Sequence, residues 1–167
     1  LLVLGLHRKQ RNETEYALTG SREISTRERL QVEQLIDEND FAGIPSKSAR
    51  LLTRKVLRLN RQGNVGFRRQ NQAALLYRYF SDIARVCSNV DRAARSGASL
   101  FFVIGDSRTT AGETEMAIKS GTALREIGES VGWRVERVFP ITVTKEARLH
   151  LRNSISDNEI IWFRKTS

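Results

Sequence analysis

The chain is poor in the residues that most side-chain catalysis uses. It has one cysteine, Cys87, and two histidines, His7 and His150, in 167 residues. A single cysteine excludes an intramolecular disulfide and any cysteine-rich zinc site, and it fits a reducing, cytoplasmic setting. Cys87 falls on the apolar side of a predicted helix and reads as packing. The two histidines stand at opposite ends of the sequence without metal-ligand spacing, so no metal site is expected. There is no Ser-centred nucleophile elbow, no phosphate loop ending in Gly-Lys-Ser and no Gly-x-Gly-x-x-Gly. Long hydrophobic runs are lacking too. The opening LLVLGL is six residues, too short to span a membrane and without a small-residue cleavage pattern after it, so no membrane partner is expected.

The most informative shortage is of acid. From Phe41 to Ser81 there are nine Lys or Arg residues and no Asp or Glu, in a chain of net charge +9 and pI near 10.4. Such a stretch reads as a surface that neutralises phosphates, with nucleic acid as the partner. The residues assigned to it are Lys47, Arg50, Arg54, Lys55, Arg58, Arg61, Phe67, Arg68 and Arg69. Phe67, after Gly63 and Gly66, is placed to stack or wedge against a base. The alternative is a solvated helix face with Phe67 as a loop anchor.

The length suits one domain, or one with an appended subdomain. We divide it into a helical, basic segment, 1–70, and an α/β part, 71–167. A first amphipathic helix is expected to end near Gly20. Ser25 or Thr26 can cap a second, with Glu28 three residues after Ser25 as in a capping box, running to about Asp40. FAGIP breaks the chain. Ser46–Asn60 reads as a helix with Leu51, Leu52, Val56 and Leu59 on its inner side, followed by a loop to Gln72. Ala73–Ser96 has the clearest helical spacing, with Leu76, Phe80, Ile83, Cys87, Val90 and Ala94 on one face.

Leu100–Ile104 is a continuous apolar run, the pattern of a strand buried on both faces of a parallel sheet. It stops at Gly105, Asp106, Ser107 and Arg108, and Asp106 is the best single acid in the chain. In open α/β sheets ligands bind beyond the carboxyl ends of strands, so these four residues are the candidate substrate cleft, with an ordinary turn as the alternative. A 13-residue loop, TTAGETEMAIKSG, is expected next. Then come a short helix capped by Ser120 and closed by Gly132, a strand from Trp133 that Pro140 marks as an edge or as bent there, a polar link, and a last strand over Glu159–Lys165. The two last strands read as an antiparallel pair.

With VIGDSR at 103–108, EIGESVGW at 126–133 and NEIIWFRK at 158–165, residues 73–165 resemble the second half of a class I S-adenosylmethionine-dependent DNA methyltransferase. The similarity is to enzymes that modify the exocyclic amino group of adenine or cytosine. It implies a partial Rossmann-like sheet of about three strands, with the helical N-terminal part an insertion that contacts DNA. It also implies that Gly105–Arg108 line the target-base side of the cleft. The family's Pro-Pro-aromatic catalytic motif and its Gly-rich cofactor loop are not in this sequence. The resemblance therefore implies a piece of a larger enzyme, completed by a missing remainder of the catalytic domain. That enzyme uses S-adenosylmethionine, while this chain holds no catalytic residue and is inactive alone. The alternatives are a non-catalytic nucleic-acid-binding module and an RNA methyltransferase fragment.

Overall fold

The computed structural model describes residues 13–16, 18–21, 23–63, 65–111, 114–142 and 157–166. The opening LLVLGL, both histidines and most of the polar link before the last strand lie outside these. Residues 13–16 are helical, and Gly20, with φ +79°, turns the chain after them.

Helix α1, Thr26–Asp37, starts where the Ser25 hydroxyl accepts the Glu28 N–H at 3.2 Å, the expected cap. Helix α2 spans Lys47–Gln62, with Ser46 as N-cap to Ala49 N at 3.0 Å. Its buried positions are Ala49, Thr53, Val56, Leu57 and Asn60, while Leu51 points outward. Of the expected inner residues Val56 is buried and Leu52 and Leu59 pack at the margin of the core, so the helix is rotated only far enough to turn Leu51 out and Thr53 and Asn60 in. Two of its inner positions are polar: Thr53 donates to Ala49 O at 2.8 Å, and the Asn60 amide N–H donates to Arg69 O at 2.7 Å while its Oδ1 is buried without a partner among the described residues. The expected loop after it instead contains a short helix, α3, Phe67–Gln70.

Helix α4, Gln72–Ala93, follows at once and buries Ala73, Ala74, Phe80 and Cys87. Burial pushes the Cys87 thiol up to about 11, consistent with a packing role. Gly97, at φ +76°, then turns the chain into β1, Ser99–Gly105.

The residues expected to form a loop after β1 fold into a hairpin of β2, Ser107–Ala111, and β3, Thr114–Ile118. Thr109, Met116 and Ile118 point inward from it. Helix α5, Ser120–Ser130, has Lys119 rather than Ser120 at its N-cap position, and no side chain caps it. Strands β4, Trp133–Thr142, and β5, Asp157–Lys165, complete the order.

The fold is mixed α/β, with a three-stranded sheet ordered β1-β5-β4 in which β5 is antiparallel to both neighbours. The expected antiparallel pairing of the last two strands is present. The expected position of β1 is not. This strand is an edge among the described residues, its direct neighbour is antiparallel, and it is covered on one face only. Leu100, Phe102 and Ile104 face the helices, whereas Phe101 and Val103 are 60% and 72% exposed. Because helices cover only one face of the described sheet, alternate side chains of the apolar run are left in solvent.

The inner face is built around Phe102, Trp133 and Phe163, whose ring centroids lie 5.5–5.9 Å apart. Gly128 of α5 allows the close approach. A Cβ there would lie 2.6 Å from Phe163 Cε1. Two side chains tie the sheet to the end of α4. The Trp133 indole N–H donates to Asp91 at 2.8 Å, and Lys165 caps the helix C-terminus through Ala94 O at 3.1 Å. One apolar cluster runs without a break from Ile36 through Val56 and Phe80 to Phe163, across residue 70.

Candidate functional site

The outward strip of α2 follows from its rotation. With 49, 53, 56, 57 and 60 inward, the 3.6-residue period turns 47, 51, 55 and 58 to solvent. Lys47, Lys55 and Arg58 are exposed there and make no ion pair among the described residues. The other three cations of the helix are engaged. Arg50 Nε donates to Ile44 O at 2.6 Å, and the Arg54 guanidinium sits 5.5 Å from the Phe41 ring centroid. Arg61 makes a two-pronged pair with Asp37, both contacts 2.8 Å. That pairing holds the Asp37 carboxyl below its ordinary range and raises Arg61, in each case first through the side-chain hydrogen bond.

Just beyond α2, the α3 turn presents Phe67 at 65% exposure, with Arg68 and Arg69 exposed beside it. The residue anchoring this segment is Val65, which is buried. Phe67 is therefore not a loop anchor. The turn is held to α2 by the Asn60–Arg69 bond and closed by Gln70 Nε2 donating to Val65 O at 3.4 Å. Gly66 precedes Phe67 in open space, with nothing within 4 Å of a Cβ built there.

Two long-range links connect this basic surface to the α/β part. Glu126, on α5, receives Ser46 Oγ at 2.7 Å, Ser48 N at 2.9 Å and the Ser48 hydroxyl, all at the first turn of α2. A carboxylate at a helix N-terminus satisfies free N–H groups and opposes the positive end of the helix dipole. Burial acts to raise the Glu126 pKa, but the hydrogen bonds from Ser48, Ser46 and the Lys47 backbone outweigh it and hold the group below its ordinary value. The second link joins Thr109 on β2 to Gln72 at the start of α4 by a side-chain hydrogen bond. The hairpin that follows Gly105 and Asp106 is thereby bound to the helix that follows Arg68 and Arg69.

The proposed cleft is less open than its sequence suggests. Gly105 is the last residue of β1, and Ser107 and Arg108 are already in β2. Asp106 pairs with Lys119 at 2.9 Å, and Arg108 with Glu115 at 3.0 Å. The first pair closes the base of the hairpin and the second runs diagonally across its two strands, so the polar groups after β1 are first of all hairpin contacts. Glu159, at the start of the last-strand motif, pairs with Arg125 at 2.9 Å and lies against Gly121, where a Cβ would meet its Oε1 at 1.8 Å. Arg164 donates to Gly97 O at 3.1 Å. Glu159 and Lys165 of the NEIIWFRK motif thus join sheet to helices, while Arg164 holds the turn before β1 and Glu136 of β4.

Sequence reasoning missed Glu126, Asn60 and the Thr109–Gln72 contact. The first and last are long-range pairings with no local signal. Asn60 stood in plain view as a polar residue on a helix expected to hide leucines. Among the described residues no group of three or more His, Cys, Asp or Glu side chains comes together to hold a metal, and no helix is long and apolar enough to cross a membrane. Comparison with protein-family models, with curated proteins and with solved structures returned no match to this chain.

Proposed function

We propose that the chain is the nucleic-acid-holding part of a DNA methyltransferase acting on an exocyclic amino group, binding DNA but not transferring a methyl group by itself. The observation that carries the nucleic-acid half is the set of exposed cations Lys47, Lys55 and Arg58 along the outward strip of α2, with Arg68 and Arg69 beside the outward Phe67 on α3. These five cations are exposed and without ion-pair partners among the described residues. Phosphate neutralisation needs free cations, and a base needs an accessible ring. Glu126 and the Thr109–Gln72 contact keep that surface in fixed relation to the end of β1.

The transferase half rests on the resemblance of residues 73–165. Methyl transfer needs a bound sulfonium, an extruded base and an amine lone pair aimed in line, which is mainly a matter of positioning. The motifs that would bind S-adenosylmethionine and hold the target amine are not in this sequence. The cofactor is therefore assigned to the larger enzyme. One observation favours the second reading, a nucleic-acid-binding module without catalysis: Asp106 and Arg108 are both committed to ion pairs.

Fluorescence anisotropy with a labelled duplex tests the first half. Arg58→Glu combined with Arg68→Glu should weaken binding at least tenfold while leaving the circular dichroism spectrum unchanged, and unaltered affinity refutes it. Calorimetry with S-adenosylmethionine should give no saturable heat, and micromolar binding contradicts the claim that the cofactor site lies elsewhere. A Pro-Pro-aromatic tripeptide in the polypeptide preceding Leu1 would favour the transferase over the module. Competition between duplex DNA and RNA separates the two substrates.

A further inference from the structure

The two edges of the three-stranded sheet are built differently. β4 carries Arg134, Glu136 and Arg137, a register irregularity between Val135 and Arg137, and Pro140. Charge, bulge and proline are the devices by which edge strands are kept from pairing with other chains. β1 has none of them. Its seven residues, SLFFVIG, carry no charge and no proline, and they pair with β5 in unbroken register from Ser99 to Gly105. One edge is finished as a boundary, and the other, among the described residues, keeps its backbone groups unpaired and its apolar character.

We infer that the free edge of β1 is a strand-pairing surface, and that its occupant for this chain is β1 of a second copy, joined antiparallel across a two-fold axis. The strand is self-complementary for that arrangement. Pairing centred on Phe102 sets Leu100 opposite Ile104, Ser99 opposite Gly105, and Phe101 opposite Val103 of the other copy. The last match covers with each other the two most exposed apolar residues of the strand, at 60% and 72%. It also extends the outward stack of Phe101 on Trp162, with ring centroids 5.8 Å apart. Nothing in β1 opposes the contact electrostatically, since no like charges meet across the axis. The result is one six-stranded sheet with a charged, bulged β4 at each end, an isologous interface that closes on itself.

This inference is independent of the nucleic-acid reading, and salt separates the two. Each copy carries net charge +9, so raising salt screens repulsion and strengthens dimerisation, whereas it weakens binding to phosphates. Sedimentation equilibrium on the full chain should show a species of twice the 19.0 kDa chain mass. Val103→Lys, at a position open enough to accept the side chain, should raise the dissociation constant by about tenfold or more through like charges brought together. Phe101→Thr, which adds no charge, should weaken the dimer to a smaller extent. Leu51→Lys, at the outward apolar residue of α2, should leave it unchanged. A chain that stays monomeric at about 100 µM in high salt overturns the inference. So does a dimer that survives Val103→Lys, or one abolished by Leu51→Lys.

Discussion

Replacing Glu126 by alanine tests whether the basic helix is held by a single carboxylate on the other side of the core. The substitution removes the acceptor for Ser46 Oγ at 2.7 Å, for Ser48 N at 2.9 Å and for the Ser48 hydroxyl. Ser46 is fully buried, and its hydroxyl would be left with no acceptor. Hydrogen bonds to a charged group contribute about 1.5–3 kcal/mol each. Glu126 is only partly buried and water can replace both Ser48 contacts, so those two bonds add little net and the Ser46 bond, at the lower end of that range, carries most of the loss. A carboxylate at a helix N-terminus adds about 0.3–1 kcal/mol.

Together these give a loss of about 2–3 kcal/mol. For a chain of this size that is a fall in Tm of about 4–10 °C. Urea unfolding followed by circular dichroism at neutral pH measures it. Glu126→Gln should lose less, about 1–2 kcal/mol, because one oxygen survives while the new amide group faces donors. The pH dependence has a definite sign. The folded-state pKa lies below the ordinary 4.5, so the contribution is complete above that value and is lost as pH falls through the depressed one. Asp37, Asp91 and Glu136 are also held low and share the acid limb. The difference between wild type and Glu126→Gln isolates the Glu126 contribution. A loss below about 0.5 kcal/mol for Glu126→Ala, with no change in the acid limb, refutes the reasoning.

Gly128→Ala should destabilise the fold by about 1–3 kcal/mol in the same urea assay, because its Cβ would stand 2.6 Å from the buried Phe163 ring. A neutral outcome would mean that α5 and β5 are not in the contact described. Phe67→Ala should leave stability within about 0.5 kcal/mol, since the ring is mostly in solvent, yet reduce affinity for single-stranded DNA by about 1–3 kcal/mol. If stability falls and binding does not, the ring is packing rather than stacking.

The helices were legible in the sequence where local chemistry decides them. The Ser25 cap starts α1, although Glu28 turns to Arg78 and does not complete a box, and the spacing of Phe80, Ile83 and Cys87 marks the inner side of α4. The rotation of α2 was not legible, because its inner side includes Thr53 and Asn60 while Leu51 is outside. Counting hydrophobic residues cannot detect a polar side chain satisfied by a neighbouring carbonyl. β1 was read correctly as a strand, but among the described residues it lies at an edge and not in the interior. Its five apolar residues state what the strand tolerates on both faces, whereas its neighbour in the sheet is set by β5, far along the chain. The hairpin was missed because the alternation of Met116 and Ile118 is too short to stand out from a loop. Of the candidate site, the cations were found by their unusual density, but which are free depends on long-range partners. Asp37 takes Arg61, and Phe41 takes Arg54.

The central claim is that the free cations of α2 and α3 bind nucleic acid phosphates, and the salt dependence of duplex binding tests it most directly. Contacts from Lys47, Lys55, Arg58, Arg68 and Arg69 predict that log K falls against log salt with a slope of about −4, reduced by about one unit in Arg58→Ala. A slope near zero, or one that Arg58→Ala and Arg68→Ala leave untouched, contradicts it.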